Sequence, residues 1–120
     1  MSDLTEFVQA RVDEDEAVAR EAAADHGREH WAVGGGGEYV YPDPPPGNSY
    51  VATGPWGGGI GRAAAHIARH DPARVLAECE AKQHLLDEAL VWGEGCLDVM
   101  ARYMAEVYAD HPDYREEWRP

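Results

Sequence analysis

The sequence predicts a small α+β protein that is mostly helical. Three observations support this. Apolar residues recur at helical spacing at both ends of the chain, short β-prone runs lie in a Gly- and Pro-rich middle, and large aliphatic residues are few. A length of 120 residues is that of one domain. We therefore expect a single domain over residues 1–120, with a helix within 1–30, a hairpin region over 31–62, helices over 63–110 and a tail over 111–120.

The first element is predicted to be a helix over residues 3–24, because its apolar residues are spaced three or four apart. Asp3 followed by Glu6 is similar to a capping box and favours a helix start at this point. Gly27 is expected to end the helix, since glycine readily adopts the left-handed conformation that follows a last helical turn.

The middle of the chain changes character over residues 31–62, which hold most of the glycines and five of the eight prolines. The runs 38–41 and 49–53 are β-prone, and 31–33 is a third candidate strand. These runs predict a small antiparallel hairpin or meander with its tip at 43–48. Two strands alone are marginal in water, so the sheet must pack on the helices.

Three further helices are predicted in the second half of the chain. A short one covers 62–70, and Asp71 with Pro72 then begins a second helix that reaches about Leu90, since Asp is a good N-cap and Pro suits the first helical position. A third helix covers about 96–109. The stripes predicted to be buried are Val75, Leu76, Cys79, Gln83, Leu86 and Leu90 on the second helix, and Leu97, Met100, Met104 and Val107 on the third.

The chain is strongly acidic, with 23 acidic and 10 basic residues and a formal net charge of −13. Such a protein repels phosphate backbones, so direct binding of nucleic acid is not expected. Cations and basic protein surfaces are the partners that the charge favours. A DNA mimic that inhibits a DNA-binding protein remains an alternative.

The compartment is predicted to be the cytoplasm. No apolar run approaches the roughly 18 residues of a membrane span, and the first residues are acidic where a signal peptide would be basic and then apolar. Cys79 and Cys96 fall in helical patterns, where a thiol behaves as a small hydrophobe, and two cysteines do not make a disulfide framework.

Two histidine pairs are candidate metal ligands, with zinc as the metal. His26-Gly-Arg-Glu-His30 matches the H-x-x-E-H pattern of one class of zinc hydrolases, in which two imidazoles share a helical face and Glu29 acts as a base. Gly27 inside the pattern speaks against a continuous helix. His66 and His70 form a second pair, four residues apart. The alternatives are that these side chains are solvated or packed, and that no cofactor is bound.

No catalytic residues are predicted from other patterns. The run Gly57–Arg62 lacks the Gly-Lys-Ser/Thr ending of a Walker A loop and is better explained as a flexible linker. Ser2 and Ser49 are the two serines of the chain, and neither lies in a G-x-S-x-G pattern.

Aromatic residues in the polar tail are candidate partner-binding residues. Tyr114 and Trp118 lie in a segment that is too short to bury both side chains by itself. The tail therefore either folds back on the helices or presents these two aromatic residues to a protein partner.

Two long motifs resemble a family of small actinobacterial and actinophage proteins of unknown function. They are His66-Ile-Ala-Arg-His-Asp-Pro-Ala-Arg-Val-Leu-Ala-Glu78 and Tyr108-Ala-Asp-His-Pro-Asp-Tyr-Arg-Glu-Glu-Trp-Arg-Pro120, and the run 13–20 also fits. The chain departs from the family pattern at 25–31, where members often read Thr-Pro-Gly-Pro-Trp, and it has only Cys96 where many relatives carry a cysteine-containing insert. The resemblance implies no chemistry.

The function expected from these observations is that of a non-catalytic protein–protein interaction factor, in a phage or prophage setting. A metal-binding protein or a metal-dependent hydrolase is the alternative from another class. The supply of large aliphatic side chains is thin, so a homodimer that buries additional stripes is also predicted.

Overall fold

The computed structural model describes residues 2–47 and 49–120. Its elements are the helices α1 (Asp3–His26), α2 (Ala63–Arg69), α3 (Pro72–Trp92) and α4 (Glu94–Glu106), the strands β1 (Trp31–Gly34) and β2 (Tyr39–Pro42), and single 3₁₀ turns at Pro55–Gly57 and Glu116–Trp118. The predicted class, α+β and mostly helical, is confirmed. Every predicted helix is present, with ends within three residues of those expected.

The chain divides into two compact units. Unit 1 comprises Met1–Asp15 and Glu78–Pro120, and unit 2 comprises Glu16–Ala77. Each unit therefore contains part of α1 and part of α3. That the whole chain folds as one domain remains a prediction.

The start of α1 differs in detail from the prediction. Ser2, not Asp3, precedes the helix, and its hydroxyl accepts a hydrogen bond from the backbone N–H of Thr5 at 3.2 Å. The expected capping role of Asp3 is therefore wrong by one residue, because a cap must lie just before the first helical turn and Asp3 already belongs to it. Gly27 ends the helix as predicted, with a φ of +68°.

The two strands form an antiparallel hairpin in which Trp31 pairs with Pro42 and Gly34 with Tyr39. The predicted tip at 43–48 connects β2 to the segment of Ala52, which makes one antiparallel bridge with Val40, but it is not the tip of the β1–β2 hairpin. Its residue Asn48 lies outside the described residues. The tip is the glycine tract itself, where the N–H groups of Gly37 and Glu38 both donate to the carbonyl of Gly34 at 3.1 Å. Gly35, Gly36 and Gly37 all have positive φ, which explains why the turn needs glycine.

The run 49–53 is not a full strand. It adds one bridge, between Val40 and Ala52, to the edge of β2. The Gly-rich segment that follows is held by backbone hydrogen bonds, since the N–H of Gly58 donates to Pro55 at 3.0 Å and that of Ile60 to Glu38 at 2.8 Å. The expectation of a flexible linker is therefore replaced by a folded loop against the hairpin.

Unit 2 has its core where α2 packs against both strands. Ala64 and Val40 are fully buried there. Asp71 caps α3 as predicted: its Oδ1 accepts the N–H of Arg74 at 2.9 Å, and its Oδ2 accepts the N–H of Trp31 at 3.1 Å. One carboxylate thus joins the start of a helix to the start of a strand.

Unit 1 is built from helices and the tail. Its buried apolar side chains are Leu4, Phe7, Val8, Val12, Cys79, Leu86, Ala89, Leu97, Ala101, Ala105 and Trp118. Of the predicted stripe on α4, Leu97 is buried, whereas Met100 and Val107 are exposed, so that part of the prediction is wrong. Leu90 is likewise exposed. Small alanine side chains face inward instead.

No helix in the described part of the chain is both long enough and apolar enough to cross a bilayer.

Candidate functional site

The junction between α3 and α4 carries the largest group of exposed apolar side chains among the described residues. Gly93 separates the two helices with a φ of +121°, a conformation that favours glycine. Eight of the twelve exposed large hydrophobic side chains of the described residues lie between positions 85 and 107; they are Leu85, Leu90, Val91, Trp92, Val99, Met100, Tyr103 and Val107. Exposed apolar clusters of this kind are typical of interaction sites.

A cavity of about 290 Å³ lies within this group. It is lined by Leu85, Glu88, Ala89, Trp92, Cys96 and Met100, and we call it the α3–α4 groove. On α3, Glu88 and Ala89 are three and four residues from both Leu85 and Trp92 in one order or the other, and on α4 Cys96 and Met100 are four apart. Each helix therefore contributes one face to the cavity.

One hydrogen bond orients the largest side chain of the groove. The indole N–H of Trp92 donates to Oε1 of Glu88 at 3.1 Å. Trp92 is nevertheless 75% exposed, and Leu85 is 53% exposed. The groove is therefore bounded by a positioned aromatic ring whose apolar surface faces water.

The distribution of small and large apolar side chains around α4 explains why its side of the groove is exposed. Ala101 and Ala105 are completely buried, whereas Met100 and Tyr103 on the neighbouring positions are not. Because alanine adds little volume, α4 turns its small side chains inward and leaves the long ones outside. The sequence pattern of large apolar residues at helical spacing is usually a sign of core, so the prediction placed Met100 on the wrong side.

The charge of the chain is concentrated in the unit that carries the groove. Unit 1 has 16 acidic and 5 basic residues, which gives it −11 of the formal charge of −13. Positions 78–107 alone hold seven acids against Lys82 and Arg102. Glu88 is the one acid among the residues that line the groove. An apolar groove on so acidic a unit is complementary to a surface that is apolar and basic.

The pKa of Tyr108, in the same unit, is raised well above its usual value of 10. Burial of the phenol is the main cause, and its hydrogen bond to Oδ2 of Asp15, at 2.5 Å, adds to it. The ammonium of Lys82 lies 3.4 Å from the phenol oxygen. This cluster is a structural contact between α1, α3 and the end of α4.

The two predicted partner-binding aromatic residues are used inside the chain. Trp118 is 6% exposed and Tyr114 is half-buried. The ring centroids of Tyr114 and Trp118 lie 6.1 and 5.1 Å from that of Phe7. The tail therefore folds back on α1, which was one of the two alternatives. Their role in binding a partner stays a prediction.

The pair His66 and His70 lies on and just after α2, as the spacing predicts. Their ring centroids are 4.6 Å apart, and both residues are exposed. Among the described residues, no group of three or more His, Cys, Asp or Glu side chains is arranged to hold a metal ion. Zinc binding by this pair remains untested.

The pair His26 and His30 does not share a helical face. α1 ends at His26, and Gly27 then turns the chain. The ring of His26 lies edge-on to Trp31 at 5.7 Å, while His30 is exposed with its Nε2 4.0 Å from Glu29. The helical geometry that the H-x-x-E-H pattern requires is therefore lacking.

A family model described as a family of unknown function, DUF6221, matches residues 1–120. No curated protein and no solved structure matches the chain.

Proposed function

The chain belongs to DUF6221, a family of unknown function, and we propose that it is a non-catalytic interaction protein whose α3–α4 groove binds a basic amphipathic helix of a partner protein. The observation that carries this proposal is the exposed apolar groove on the unit that bears most of the negative charge. Helices commonly bind such grooves through apolar residues at i, i+3, i+4 and i+7.

The choice of occupant rests on charge. A second copy of this chain would bring another unit with a net charge of −11 against the first. A membrane surface rich in anionic lipids would be repelled in the same way. A helix with lysine or arginine around an apolar stripe would instead match both the apolar groove and the negative charge of unit 1.

The setting is part of the same proposal. The two motifs support an actinobacterial or actinophage protein that acts on a host protein in the cytoplasm. If the partner is a DNA-binding protein, the chain would act as a DNA mimic that competes for its basic DNA-binding surface.

The first test uses a defined probe. An 18-residue peptide with leucine at i, i+3, i+4 and i+7 and lysine elsewhere is titrated into the protein by calorimetry, together with a peptide of the same composition in scrambled order. We expect the ordered peptide to bind at least tenfold more tightly. Equal binding of the two peptides would mean attraction by charge alone and would overturn the proposal.

Variants locate the binding site. Met100→Gln combined with Leu85→Gln is expected to weaken binding of the ordered peptide at least tenfold, because both residues line the groove. Val18→Gln is the matched control, since Val18 is also exposed but lies on α1 in unit 2.

Sedimentation of the protein without peptide tests whether a second copy occupies the groove instead. If the wild type were a dimer and Met100→Gln a monomer, the groove would be filled by another copy, and the proposed partner helix would be wrong.

Zinc binding is a second candidate function, favoured by the 4.6 Å separation of the His66 and His70 rings. A zinc titration of the protein is expected to show one site that His66→Ala abolishes and His84→Ala leaves intact. A site that survives His66→Ala would remove this candidate.

A further inference from the structure

A second cavity, of about 330 Å³, lies on the hairpin in unit 2. Tyrosines from two chain segments line it together with small residues; the full lining is Gly34, Gly35, Tyr39, Tyr41, Pro45, Gly47, Ser49 and Tyr50. We call it the tyrosine groove. None of its residues belongs to the α3–α4 groove or to either histidine pair.

Strand alternation brings the first two tyrosines together. Tyr39 and Tyr41 are two residues apart on β2, so their side chains share one face, while Val40 and Pro42 are buried on the other. Tyr50 joins them from the segment beyond the hairpin, with its ring centroid 5.6 Å from that of Tyr39. The outer face of the sheet is thus aromatic.

Glycines of β1 and the turn make room for these rings. A Cβ atom at Gly34 would lie 2.7 Å from Cε1 of Tyr41, and one at Gly35 would overlap the ring of Tyr39. At Gly36, by contrast, a Cβ would meet nothing within 4 Å. The rings therefore lie directly on the glycine backbone, which gives the groove a flat floor.

Two hydroxyls of the groove are not free to bind a ligand at its surface. The hydroxyl of Ser49 is buried away from solvent and has no hydrogen-bond partner among the described residues. The hydroxyl of Tyr39 donates to the carbonyl of Gly57 at 3.3 Å and so attaches the next loop to the groove. Tyr50 is 57% exposed and offers its hydroxyl to a ligand.

That attached loop presents Trp56 to solvent. Trp56 is fully exposed and has a φ of +60°, which is rare for a residue other than glycine. Gly54 allows the loop to close on itself, since a Cβ there would overlap the backbone of Gly58 and Gly59. Strain of this kind at an exposed aromatic residue is typical of a binding position.

The absence of charge in the lining indicates which ligands the groove favours. None of its eight lining residues is charged. The guanidinium of Arg28 donates to the carbonyl of Pro44 at 2.9 Å, beside the lining residue Pro45, while Glu38 and Asp43 lie in the same part of the chain. A neutral ligand with exposed hydrogen-bond acceptors is therefore favoured.

From this geometry we propose that the tyrosine groove binds a proline-rich segment of a partner in the polyproline II conformation. Such a segment has no internal hydrogen bonds, so its carbonyl groups can accept from an exposed hydroxyl such as that of Tyr50. Its proline rings pack on aromatic side chains in open grooves, and its stiffness lowers the entropic cost of binding. Proline is uncharged, as is the lining of the groove.

The test compares two peptides of equal charge, Arg-(Pro)8-Arg and Arg-(Gly-Ser)4-Arg, by chemical-shift mapping on the ¹⁵N-labelled full chain. The proline peptide is expected to shift resonances between 34 and 50, and the Gly-Ser peptide is expected to bind at least fivefold more weakly. Equal binding, or no binding of the proline peptide at 5 mM, would overturn the proposal. Displacement of the proline peptide by tetramethylammonium would identify the groove as a cation site instead and would equally overturn it.

Variants separate the groove from a general effect on stability. Tyr50→Ala is expected to weaken binding of the proline peptide at least fivefold, and Tyr103→Ala, an exposed tyrosine of unit 1, is expected to leave it unchanged. Gly35→Ala and Gly36→Ala impose similar backbone strain, since both φ values are positive. Only Gly35→Ala displaces a ring, so loss of binding in both would contradict the proposal.

Discussion

Tyr108 illustrates how one buried hydroxyl affects stability. Its burial and its hydrogen bond to Asp15 both favour the neutral phenol, and they raise its pKa in the folded protein. Because the pKa is lower in the unfolded chain, about 10, this stabilisation is complete below pH 10 and is lost as the pH rises above it. Tyr108→Phe is expected to lower the free energy of unfolding by about 1–2 kcal/mol at pH 7.

Urea denaturation between pH 7 and 11 measures this effect. The stability difference between the wild type and Tyr108→Phe is expected to shrink above pH 10, and comparing the two proteins cancels the titration of the other tyrosines. Tyr103→Phe is the control, because Tyr103 is 59% exposed. If the stability difference between the wild type and Tyr108→Phe grew above pH 10, ionisation of Tyr108 would stabilise the folded state, contrary to this prediction.

Single residues were also where the sequence was most informative. Asp71 followed by Pro72 correctly located the start of α3, since few other residue pairs suit those two positions. Ser2 and Asp3 were ambiguous, because both are good N-caps and adjacent. The positive φ of the exposed residue Trp56 and the buried hydroxyl of Ser49 both depend on contacts between distant segments. No local sequence pattern therefore indicated them.

At the scale of elements, the start of α3 is joined to the start of β1 through Asp71. Replacing Asp71 with Ala removes the acceptors of two backbone N–H groups, those of Arg74 and Trp31. We expect the free energy of unfolding to fall by about 2 kcal/mol, with Asp71→Asn intermediate because it retains one acceptor oxygen. Thermal denaturation of these variants against Asp110→Ala, an exposed acid, provides the measurement. Equal stability of Asp71→Ala and Asp110→Ala would refute the stabilising role of the Asp71 carboxylate.

Two elements differ from the prediction, each for its own physical reason. The hairpin tip was predicted at 43–48 and not at the glycine tract before β2, but consecutive glycines with positive φ can close a tight turn when strands on both sides pair. On α4, periodicity indicated a helix but not which face was buried. Large and small apolar residues alternate around α4, and the packing of Ala101 and Ala105 decided the outcome.

At the scale of the whole molecule, the fold gathers charge that the sequence keeps apart. The acidic segments lie near the two ends of the chain, and unit 1 contains both ends. No sequence pattern specifies which distant segments meet, so the concentration of charge in the unit that carries the α3–α4 groove was visible only in the fold. The candidate site follows from that concentration and not from a motif.

This uneven charge predicts opposite effects of salt on folding and on binding. Repulsion within unit 1 opposes the folded state, and it is screened when the Debye length falls from about 30 Å at 0.01 M salt to about 10 Å at 0.1 M. The Tm is therefore expected to rise by several degrees between 10 and 150 mM NaCl. Binding of the ordered leucine–lysine peptide is expected to weaken over the same range, because screening reduces its attraction to the negatively charged unit 1. A Tm that falls with salt would mean that ion pairs such as Arg102–Asp98, and not repulsion, dominate the electrostatics of unit 1.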